Sequence, residues 1–410
     1  MDHNAQLSWA TSGAMWLTGR RNGPPLAAPG RPAAHVEDHL RLFSAEVQLW
    51  NPAPVVQPDG RVLGERAAIA GLGRQGPTSC GGAFRTVRTT SGWIGLSLSR
   101  PSDLEFVPAL TGIENDDPWS AVSRWAQHVD NAEADERIAL LELPGCSVPE
   151  QGSDVSDRQA VVVNRGARRS RVTETPLVVD FSSMWAGPLC AHLLGLAGSV
   201  VVKVESTHRP DGARFGPRAF YDLLHAGHRS LCVDPADARH RAALRDLISR
   251  ADIVLESSRP EALARWDLDA DAVVNEGTSW LSITARGRAS RRVGFGDDIA
   301  VGAGLYVMDG DEILPCGDAL GDPLTGVVAA HAAARALADD HAQLVDVSMH
   351  DVCAEAAATP TSPGVVEFDP GRDCWWLTTD TGRVEVARPR PRSAAGIAAA
   401  SGAHNAGIVP

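Results

Sequence analysis

One aspartate, at the start of a long apolar helix, is the residue of this chain best placed for covalent chemistry. The stretch GDPLTG at 321–326 leads into residues 324–338, which are rich in alanine and carry apolar residues at helical spacing. The pattern predicts a helix with Asp322 as its N-cap and Pro323 at its first position. A carboxylate there is stabilised as an anion by the helix dipole and can act as a nucleophile. Capping is the commoner role of such an aspartate, so the surrounding sequence has to decide between the two.

The elements that must position Asp322 follow an alternating pattern. From residue 176, the sequence PLVVDFSSMWAGPLCAHLLGLAGSVVVKVE runs through an apolar strand, a tight turn, a helix and a second apolar strand. That succession has the length of one βαβ unit. Further strand-like and helix-like segments follow. The chain is therefore predicted to be α/β with a parallel sheet.

Six motifs in this region occur in the order and near the spacing of one known family. They are WAGP at 185–188, VVKVE at 201–205, GHRSL at 227–231, SRPEAL at 258–263, SITARG at 282–287 and VDVSMHD at 345–351. With these motifs the chain resembles the family III CoA-transferases, which include the formyl-CoA, carnitine-CoA and bile-acid CoA-transferases and the α-methylacyl-CoA racemases. The resemblance implies a Rossmann-like large domain with a parallel sheet, a smaller α+β domain and an interlocked homodimer.

The resemblance also implies a role for Asp322. In the family, a turn of this pattern holds a nucleophilic aspartate, and Asp322 is the matching position. Such a carboxylate can move CoA between two acids because it keeps the thioester's energy in covalent form, as an anhydride and then an aspartyl-CoA thioester. The family covers the anhydride with a glycine-rich loop. Its counterpart here contains Gly81 and Gly82, the candidates for a lid or an oxyanion site, and has fewer glycines than the family's loop.

Contacts to CoA are carried over by position, with a CoA thioester as substrate and neither a tightly bound cofactor nor a metal. The candidate CoA-binding residues are Met184, Trp185, Ala186, His228, Arg229, Ser257, Arg265 and Trp266. The resemblance places Arg265 and Trp266 beside the adenine, where a guanidinium and a ring can stack. The family commonly has Asn-Phe where this chain has Ser257 and Ser258, and some members have arginine at the position of Ser206. Both differences are expected to weaken nucleotide binding.

The order of segments departs from the family, which places its Rossmann-like domain first. Residues 1–74 resemble a back-half fragment of a family copy, 75–149 a small domain, 176–356 the large domain and 357–410 a returning C-terminal segment that includes a GAHN turn at 402–405. Residues 150–175 have the polar, arginine-rich character of a linker. We interpret this order as a rearranged or truncated tandem of two copies.

A faint internal repeat supports that interpretation. GAMWLTG at 13–19 echoes GLYVMDG at 304–310. Both copies are predicted as an apolar helical turn that a glycine ends.

Composition limits the partners. The net charge of -13 over 410 residues argues against nucleic acid, because phosphate binding needs a basic face. No apolar run is long enough for a membrane span, and the N-terminus lacks a signal-peptide pattern. The seven cysteines are widely spaced, which favours reduced thiols in the cytoplasm over disulfides or a zinc site. We expect a cytoplasmic protein whose partners are an acyl-CoA and a carboxylic acid.

Three alternatives to CoA transfer remain at this point. An α-methylacyl-CoA racemase would share the fold, but the turn that holds its histidine reads Gly296-Asp297-Asp298 here. A catalytically degenerate acyl-CoA-binding paralogue fits the rearranged order and the lost Asn-Phe. An NAD-dependent oxidoreductase would fit a doubly wound sheet, but GxGxxG is missing after the first strand.

Overall fold

The structure is a computed structural model that describes residues 5–53, 55–114, 117–153, 158–169, 175–258 and 260–407. Its α-helices are α1 Ala5–Thr11, α2 Pro32–Val47, α3 Glu65–Ala70, α4 Pro101–Glu105, α5 Val107–Thr111, α6 Pro118–Ala126, α7 Asn131–Leu140, α8 Ala186–Leu196, α9 Arg218–His225, α10 Ala238–Ser249, α11 Pro260–Ala264, α12 Ala270–Asn275, α13 Gly296–Gly302, α14 Gly321–Ala338 and α15 Met349–Ala357. Its strands are β1 Phe84–Arg88, β2 Trp93–Ser97, β3 Gly145–Ser147, β4 Val161–Arg168, β5 Leu177–Asp180, β6 Val200–Ser206, β7 Arg229–Val233, β8 Ile253–Glu256, β9 Ser279–Thr284, β10 Tyr306–Asp309, β11 Glu312–Pro315, β12 His341–Ser348, β13 Val365–Asp369, β14 Cys374–Thr379 and β15 Gly382–Glu385.

A seven-stranded sheet organises the large domain, in the order β4-β12-β9-β8-β5-β6-β7. The six strands from β5 onward are parallel, and they leave the first strand, β5, in both directions, towards β6 and β7 on one side and towards β8, β9 and β12 on the other. This is the doubly wound order of a Rossmann fold, whose ligands bind at the carboxyl ends of the strands where the order reverses. The predicted α/β class with a Rossmann-like parallel sheet is confirmed, and the reversal lies between β5 and β8.

The edge strand β4 was not expected. It falls inside the segment predicted as a linker, yet it pairs antiparallel with β12, so the sheet begins before residue 176. Most of β4 is exposed, because it lies at the edge of the sheet. Its sequence VVVNRGAR therefore lacks the apolar alternation that would have signalled a strand. The linker residues 154–157 and 170–174 lie outside the described residues.

The N-terminal segment packs onto the large domain through its longest helix. Helix α2 buries one face, including Val36, Leu40 and Phe43, in the same core as the apolar residues of α14. His39 of α2 and His331 of α14 meet across this contact, with their Nδ1 atoms 3.0 Å apart. The segment is therefore an integral layer of the large domain.

The two copies of the internal repeat have different structures. In the first copy, residues Met15–Leu17 form a short 3₁₀ helix between glycines with positive φ. In the second copy, Tyr306 to Asp309 form strand β10, which pairs antiparallel with β11. The prediction of a helical turn was wrong for the second copy, because hairpin pairing with Glu312–Pro315 supplies its backbone hydrogen bonds.

Two small antiparallel sheets lie beside the main one. Strands β1, β2 and β3 form the first and, with helices α4 to α7, enclose a separate apolar core in residues 75–149. Strands β13, β14 and β15 form the second, in the C-terminal segment. The GAHN turn of this segment then covers the outer edge of β7, where His404 and Asn405 bond the backbone of Ser230 and Cys232. Across the described ranges, no helix has both the length and the apolar character needed to span a membrane.

Candidate active site

Asp322 lies in the first turn of α14, one residue inside the helix. The prediction that it is the N-cap was wrong: the helix begins at Gly321, Leu320 occupies the cap position, and no side chain caps this end. The reason is a tight turn in which the N–H of Asp322 bonds the carbonyl of Ala319 at 2.9 Å, so the chain coils one residue early. The carboxyl of Asp322 therefore does not cap α14, and it accepts a hydrogen bond from the N–H of Gly296 at the start of α13.

Two further aspartates lie near Asp322. Its carboxyl approaches the N-terminus of α13, where a Cβ on Gly296 would lie 2.5 Å from Asp322 Oδ2. Asp297 follows directly and accepts a 2.9 Å hydrogen bond from the N–H of Ala319. Asp318 is completely buried, whereas Asp297 and Asp322 keep partial exposure. Asp297 and Asp322 are therefore the residues of this cluster that keep some contact with solvent.

The surroundings hold both accessible carboxyls partly protonated near neutral pH. Burial raises the pKa of Asp322 to about 7, and the neighbouring charge of Asp297 adds to the increase. Burial likewise raises the pKa of Asp297 to about 6, with a further increase from Asp318. Carboxyls that interact in this way titrate as a coupled set. Perturbed pKa values are common among groups that perform chemistry.

One arginine from the N-terminal segment reaches this cluster. Arg66 of α3 forms a two-bond ion pair with Asp318, in which Nε lies 2.9 Å from Oδ2 and Nη2 bonds Oδ1. Its guanidinium also lies over the ring of Trp185, 5.5 Å from the centroid. The positive charge of Arg66 lowers the pKa of Asp297 and Asp322 and thus opposes the effect of burial. The arrangement is a buried acidic cluster with an arginine on one side.

The predicted glycine loop lies against this arginine. A Cβ on Gly81 would lie 3.6 Å from Arg66 Nη2, and Gly82 has a φ of +83°, which favours glycine. The thiol of Cys80 anchors the loop by contacts to the carbonyls of Leu17 and Gly317. The structure therefore brings the loop to the same Arg66–Asp318 pair that interacts electrostatically with Asp322.

The turn after β5 holds three of the predicted CoA-binding residues. Met184 has a φ of +73°, and its N–H bonds Asp211 at 3.0 Å. Trp185 is buried between Arg66 and Phe220, and Ala186 begins α8. Ser257, which follows β8, accepts a 3.1 Å hydrogen bond from the N–H of Ser183. These residues meet at the carboxyl ends of β5 and β8, where the strand order reverses.

The other predicted CoA contacts occupy different surroundings. Trp266 packs edge-on against Phe181, with centroids 6.0 Å apart, and its neighbour Arg265 is exposed. Arg229 is exposed at the start of β7, at the opposite end of that strand from its carboxyl edge. His228 is buried, and burial lowers its pKa to about 3, so it is neutral and offers no positive charge.

Sequence reasoning missed Arg66 and Asp318 and treated Asp297 only as the place of a missing histidine. Arg66 is 252 residues from Asp318, so no local motif joins them. The signal that was available is the density of aspartates at 297–298 and 318–322 in an otherwise apolar region. Across the described residues, no group of three or more His, Cys, Asp or Glu side chains is arranged to hold a metal ion.

A cleft of about 680 Å³ lies away from Asp322, between the N-terminal segment and the C-terminal sheet. Its arginines include Arg61 and Arg388, which are paired with Asp59 and Asp373. Since acidic side chains accompany these cations, the cleft has no excess of positive charge, and the carboxylate cluster remains the better candidate site.

Taken together, the fold and the site define an α/β protein with a Rossmann-order sheet and a cluster of carboxyls at the start of α14. The sequence model of CoA-transferase family III matches residues 176–364. Residues 176–364 are therefore similar to CoA-transferase family III.

Curated relatives support the same family. The chain is 28% identical over 200 residues to a succinate–glutarate CoA-transferase of Agrobacterium fabrum, which covers 43% of this chain and 50% of that protein. It is 31% identical over 166 residues to the succinyl-CoA–L-malate CoA-transferase beta subunit of Chloroflexus aurantiacus. This alignment covers 37% of this chain and 41% of that protein. The chain thus spans about half the length of the curated relatives it matches.

Two solved structures align with part of this chain. A hypothetical protein from Mycobacterium tuberculosis aligns with a TM-score of 0.45 at 25% identity, over 52% of this chain and 66% of that one. A CAIB/BAIF family protein from Brucella suis aligns with a TM-score of 0.42 at 22% identity, over 54% and 65%.

Proposed function

We propose that this protein transfers coenzyme A from an acyl-CoA to a free carboxylic acid, with Asp322 as the nucleophile. The observation that carries the proposal is the position of Asp322, a partly exposed residue in the first turn of α14 that does not cap this helix and lies within the family-matched region. A carboxyl whose pKa is raised to about 7 is also a stronger nucleophile, once ionised, than an ordinary aspartate.

The reaction proceeds by exchange of acyl bonds. An oxygen of Asp322 attacks the thioester carbonyl, the carbon–sulfur bond breaks, and a mixed anhydride and CoA thiolate form. The thiolate then attacks the carbonyl of Asp322 and releases the donor acid as its carboxylate, which leaves an aspartyl-CoA thioester. The acceptor carboxylate attacks this thioester and expels the thiolate, which attacks the acceptor carbonyl of the new anhydride. The new acyl-CoA and free Asp322 result, with no net change in protons.

The neighbouring residues serve these steps. The first turn of α14 directs backbone N–H groups and the positive end of the helix dipole towards the developing oxyanion. The loop of Gly81 and Gly82 covers the anhydride and limits attack by water. The turn at Met184, Trp185 and Ala186, with Ser257 beside it, receives the CoA chain at the switch point of the sheet. Arg265 and Trp266 contact the nucleotide.

Mass spectrometry of the intact protein after incubation with a panel of acyl-CoAs tests the proposal. We expect a covalent adduct that hydroxylamine removes and that peptide mapping assigns to Asp322. Asp322→Asn should form no adduct, whereas Asp311→Asn, at an exposed aspartate on the β10–β11 turn, should react like the wild type. Loss of the adduct in Asp311→Asn alone, or an unchanged yield in Asp322→Asn, would exclude Asp322 as the nucleophile.

The position of Asp297 favours a second candidate, the exchange of a proton α to the thioester carbonyl. Asp297 occupies the turn in which the similar racemases have histidine, and its pKa of about 6 suits a general base. Incubation of a 2-methylacyl-CoA in deuterium oxide distinguishes the two reactions, because only proton exchange incorporates deuterium at the α-carbon.

We further propose that the protein acts in the cytoplasm as a homodimer. All seven cysteines are free thiols, which fits a reducing compartment. Dimerisation follows from the resemblance to interlocked family members. A monomeric mass in light scattering at micromolar concentration would contradict it.

A further inference from the structure

We infer that Arg66, supplied by the N-terminal segment outside the family-matched region, binds the carboxylate of the acid substrate opposite Asp322. The inference rests on the proposed CoA transfer and names the residue that recognises the acid. Arg66 lies in α3, whereas the family match begins at residue 176. Any role for it would make the N-terminal segment part of the active site.

The first argument is electrostatic. The site has three neighbouring carboxyls, Asp297, Asp318 and Asp322, and all three are linked electrostatically to Arg66. An acid substrate brings a further negative charge to the accessible pair Asp297 and Asp322. Like charges repel each other strongly in a partly buried site, so the incoming carboxylate needs a cation beside it. Arg66 is the cation that acts on both accessible aspartates.

The second argument is geometric. Asp318 binds Nε and Nη2 of Arg66 and so fixes the plane of the guanidinium. Nη1 makes no hydrogen bond to any described residue, and the side chain keeps 29% exposure although its partner Asp318 has none. A guanidinium held on one edge and open on the other matches the planar recognition of a carboxylate.

The third argument concerns what surrounds the open edge. The ring of Trp185 lies against the guanidinium on one side, and the loop of Gly81 passes close to Nη2. The loop is the proposed cover of the anhydride, and Trp185 belongs to the turn that receives the CoA chain. An acid bound at Nη1 would thus lie beside both the proposed cover and the turn that receives the CoA chain.

Chemical labelling of arginine tests the binding without requiring turnover. Wild-type protein is treated with phenylglyoxal in the presence of sodium propionate, sodium succinate or sodium chloride, and labelled peptides are quantified by mass spectrometry. We expect both carboxylates to protect Arg66, with chloride at equal ionic strength giving no protection. Arg61 lies five residues earlier and is more exposed. It is the internal control and should be labelled equally in all three conditions. Equal labelling of Arg66 with and without carboxylate would overturn the inference, whether or not the protein transfers CoA.

Kinetics separate recognition of the acid from a structural role. In Arg66→Met, we expect the KM for the acid to rise roughly 10- to 100-fold, as for the loss of a hydrogen bond to a charged group, with the KM for acyl-CoA changed about 2-fold or less. Arg66→Lys should recover part of the loss because it restores the charge without the planar fork. Asp318→Asn removes the anchor and keeps the guanidinium, so it should affect the acid KM less than Arg66→Met.

Equal effects of Arg66→Met and Asp318→Asn on both KM values would assign Arg66 a structural role and overturn the inference. Thermal denaturation of each variant shows whether a loss of activity results from unfolding of the protein. Absence of transfer by wild-type protein to every acid would instead contradict the proposed function, while the labelling result would still decide whether Arg66 binds carboxylates.

Discussion

Two buried charge clusters lie on either side of the turn that follows β5, and they differ in how completely their charges are matched. In the first, Lys203, the only lysine of the chain, lies 3.0 Å from Asp211 and 3.7 Å from Asp180, and all three side chains are at most 2% exposed. In the second, Arg66 faces three aspartates, two of which keep contact with solvent. The first cluster is closed to ligands, and the second is open.

The pKa shifts reflect this difference in part: the pKa of Asp211 in the first cluster is lowered, although burial raises that of Asp180. Burial alone would lower the pKa of Lys203, but Asp180 and Asp211 raise it, so the ammonium stays charged. It bonds the carbonyl of Ser182, and Asp211 accepts from the N–H of Met184, so the cluster fixes the backbone of the turn. In the second cluster, burial outweighs Arg66 at Asp297 and Asp322, and both carboxyls have a raised pKa. Matched charges hold the turn in place, and unmatched ones are available for chemistry.

The largest effect that separates the clusters is expected from Asp322→Asn. Turnover should fall by about 10³-fold or more, since the amide cannot form the anhydride. Stability should move in the opposite direction. The pKa of Asp322 is raised in the folded state, so stability falls as the pH rises from about 4, where the unfolded carboxyl ionises, until the loss is complete above about 7, and the variant avoids that cost. Urea unfolding should show the variant more stable by about 1–2 kcal/mol at pH 8 and equal to wild type at pH 4. If the variant were less stable than the wild type at pH 8, the contrast between the two charge clusters would be contradicted.

The next largest effect is expected from Lys203→Met. Removing the ammonium leaves Asp180 and Asp211 buried without their cation, which should cost about 3–5 kcal/mol. Urea unfolding at pH 7 measures the loss. The matched control is Arg239→Met, at an ion pair whose arginine side chain is 74% exposed, and it should change stability by about 1 kcal/mol or less. Similar losses in both variants would show that the Lys203 cluster does not hold the turn.

Asp297→Asn should change the pH dependence of activity more than its maximum. Because Asp322 has to be ionised to attack, kcat/KM is expected to rise with pH through about 7 in the wild type. The charge of Asp297 raises the pKa of Asp322, so its removal should move the acid limb of the profile to lower pH. A limb that stays in place, or moves to higher pH, would mean that the two carboxyls do not interact as the structure indicates.

The smallest effect is expected at the contact of α2 with α14, which binds the N-terminal segment to the large domain. Burial lowers the pKa of His35, His39 and His331 to about 4. Their folded-state pKa lies below the unfolded value of about 6.5, so the stability they permit is complete above pH 6.5 and is lost as the pH falls towards 4. The free energy of unfolding falls between pH 7 and pH 4.5 in the wild type, and His331→Leu should make that fall smaller by about 1 kcal/mol. An unchanged pH dependence would show that this contact does not exclude the charged histidine.

The sequence by itself determined the elements that repeat with a fixed period. The apolar strands from Leu177 onward and the alanine-rich helix that ends at Ala338 follow from local pattern, since a buried parallel strand and a buried helix each need a continuous apolar segment. The motifs that resemble the family also predict Asp322 as the nucleophile. Where the local pattern is weak, prediction failed: β4 is an exposed edge strand without alternation, and β10 is a short hairpin strand stabilised by its partner.

Only the tertiary structure decided which residues surround Asp322. Arg66 joins Asp318 across 252 residues because α3 and the N-terminal segment pack onto the large domain. Asp297 and Asp322 come together where the N-termini of α13 and α14 meet, and glycine at 296 and 321 is what allows the close approach. Sequence pattern encodes the period of each element, whereas the distance between charges on separate elements depends on how their apolar faces pack, and that distance sets the pKa of the carboxyl proposed to react.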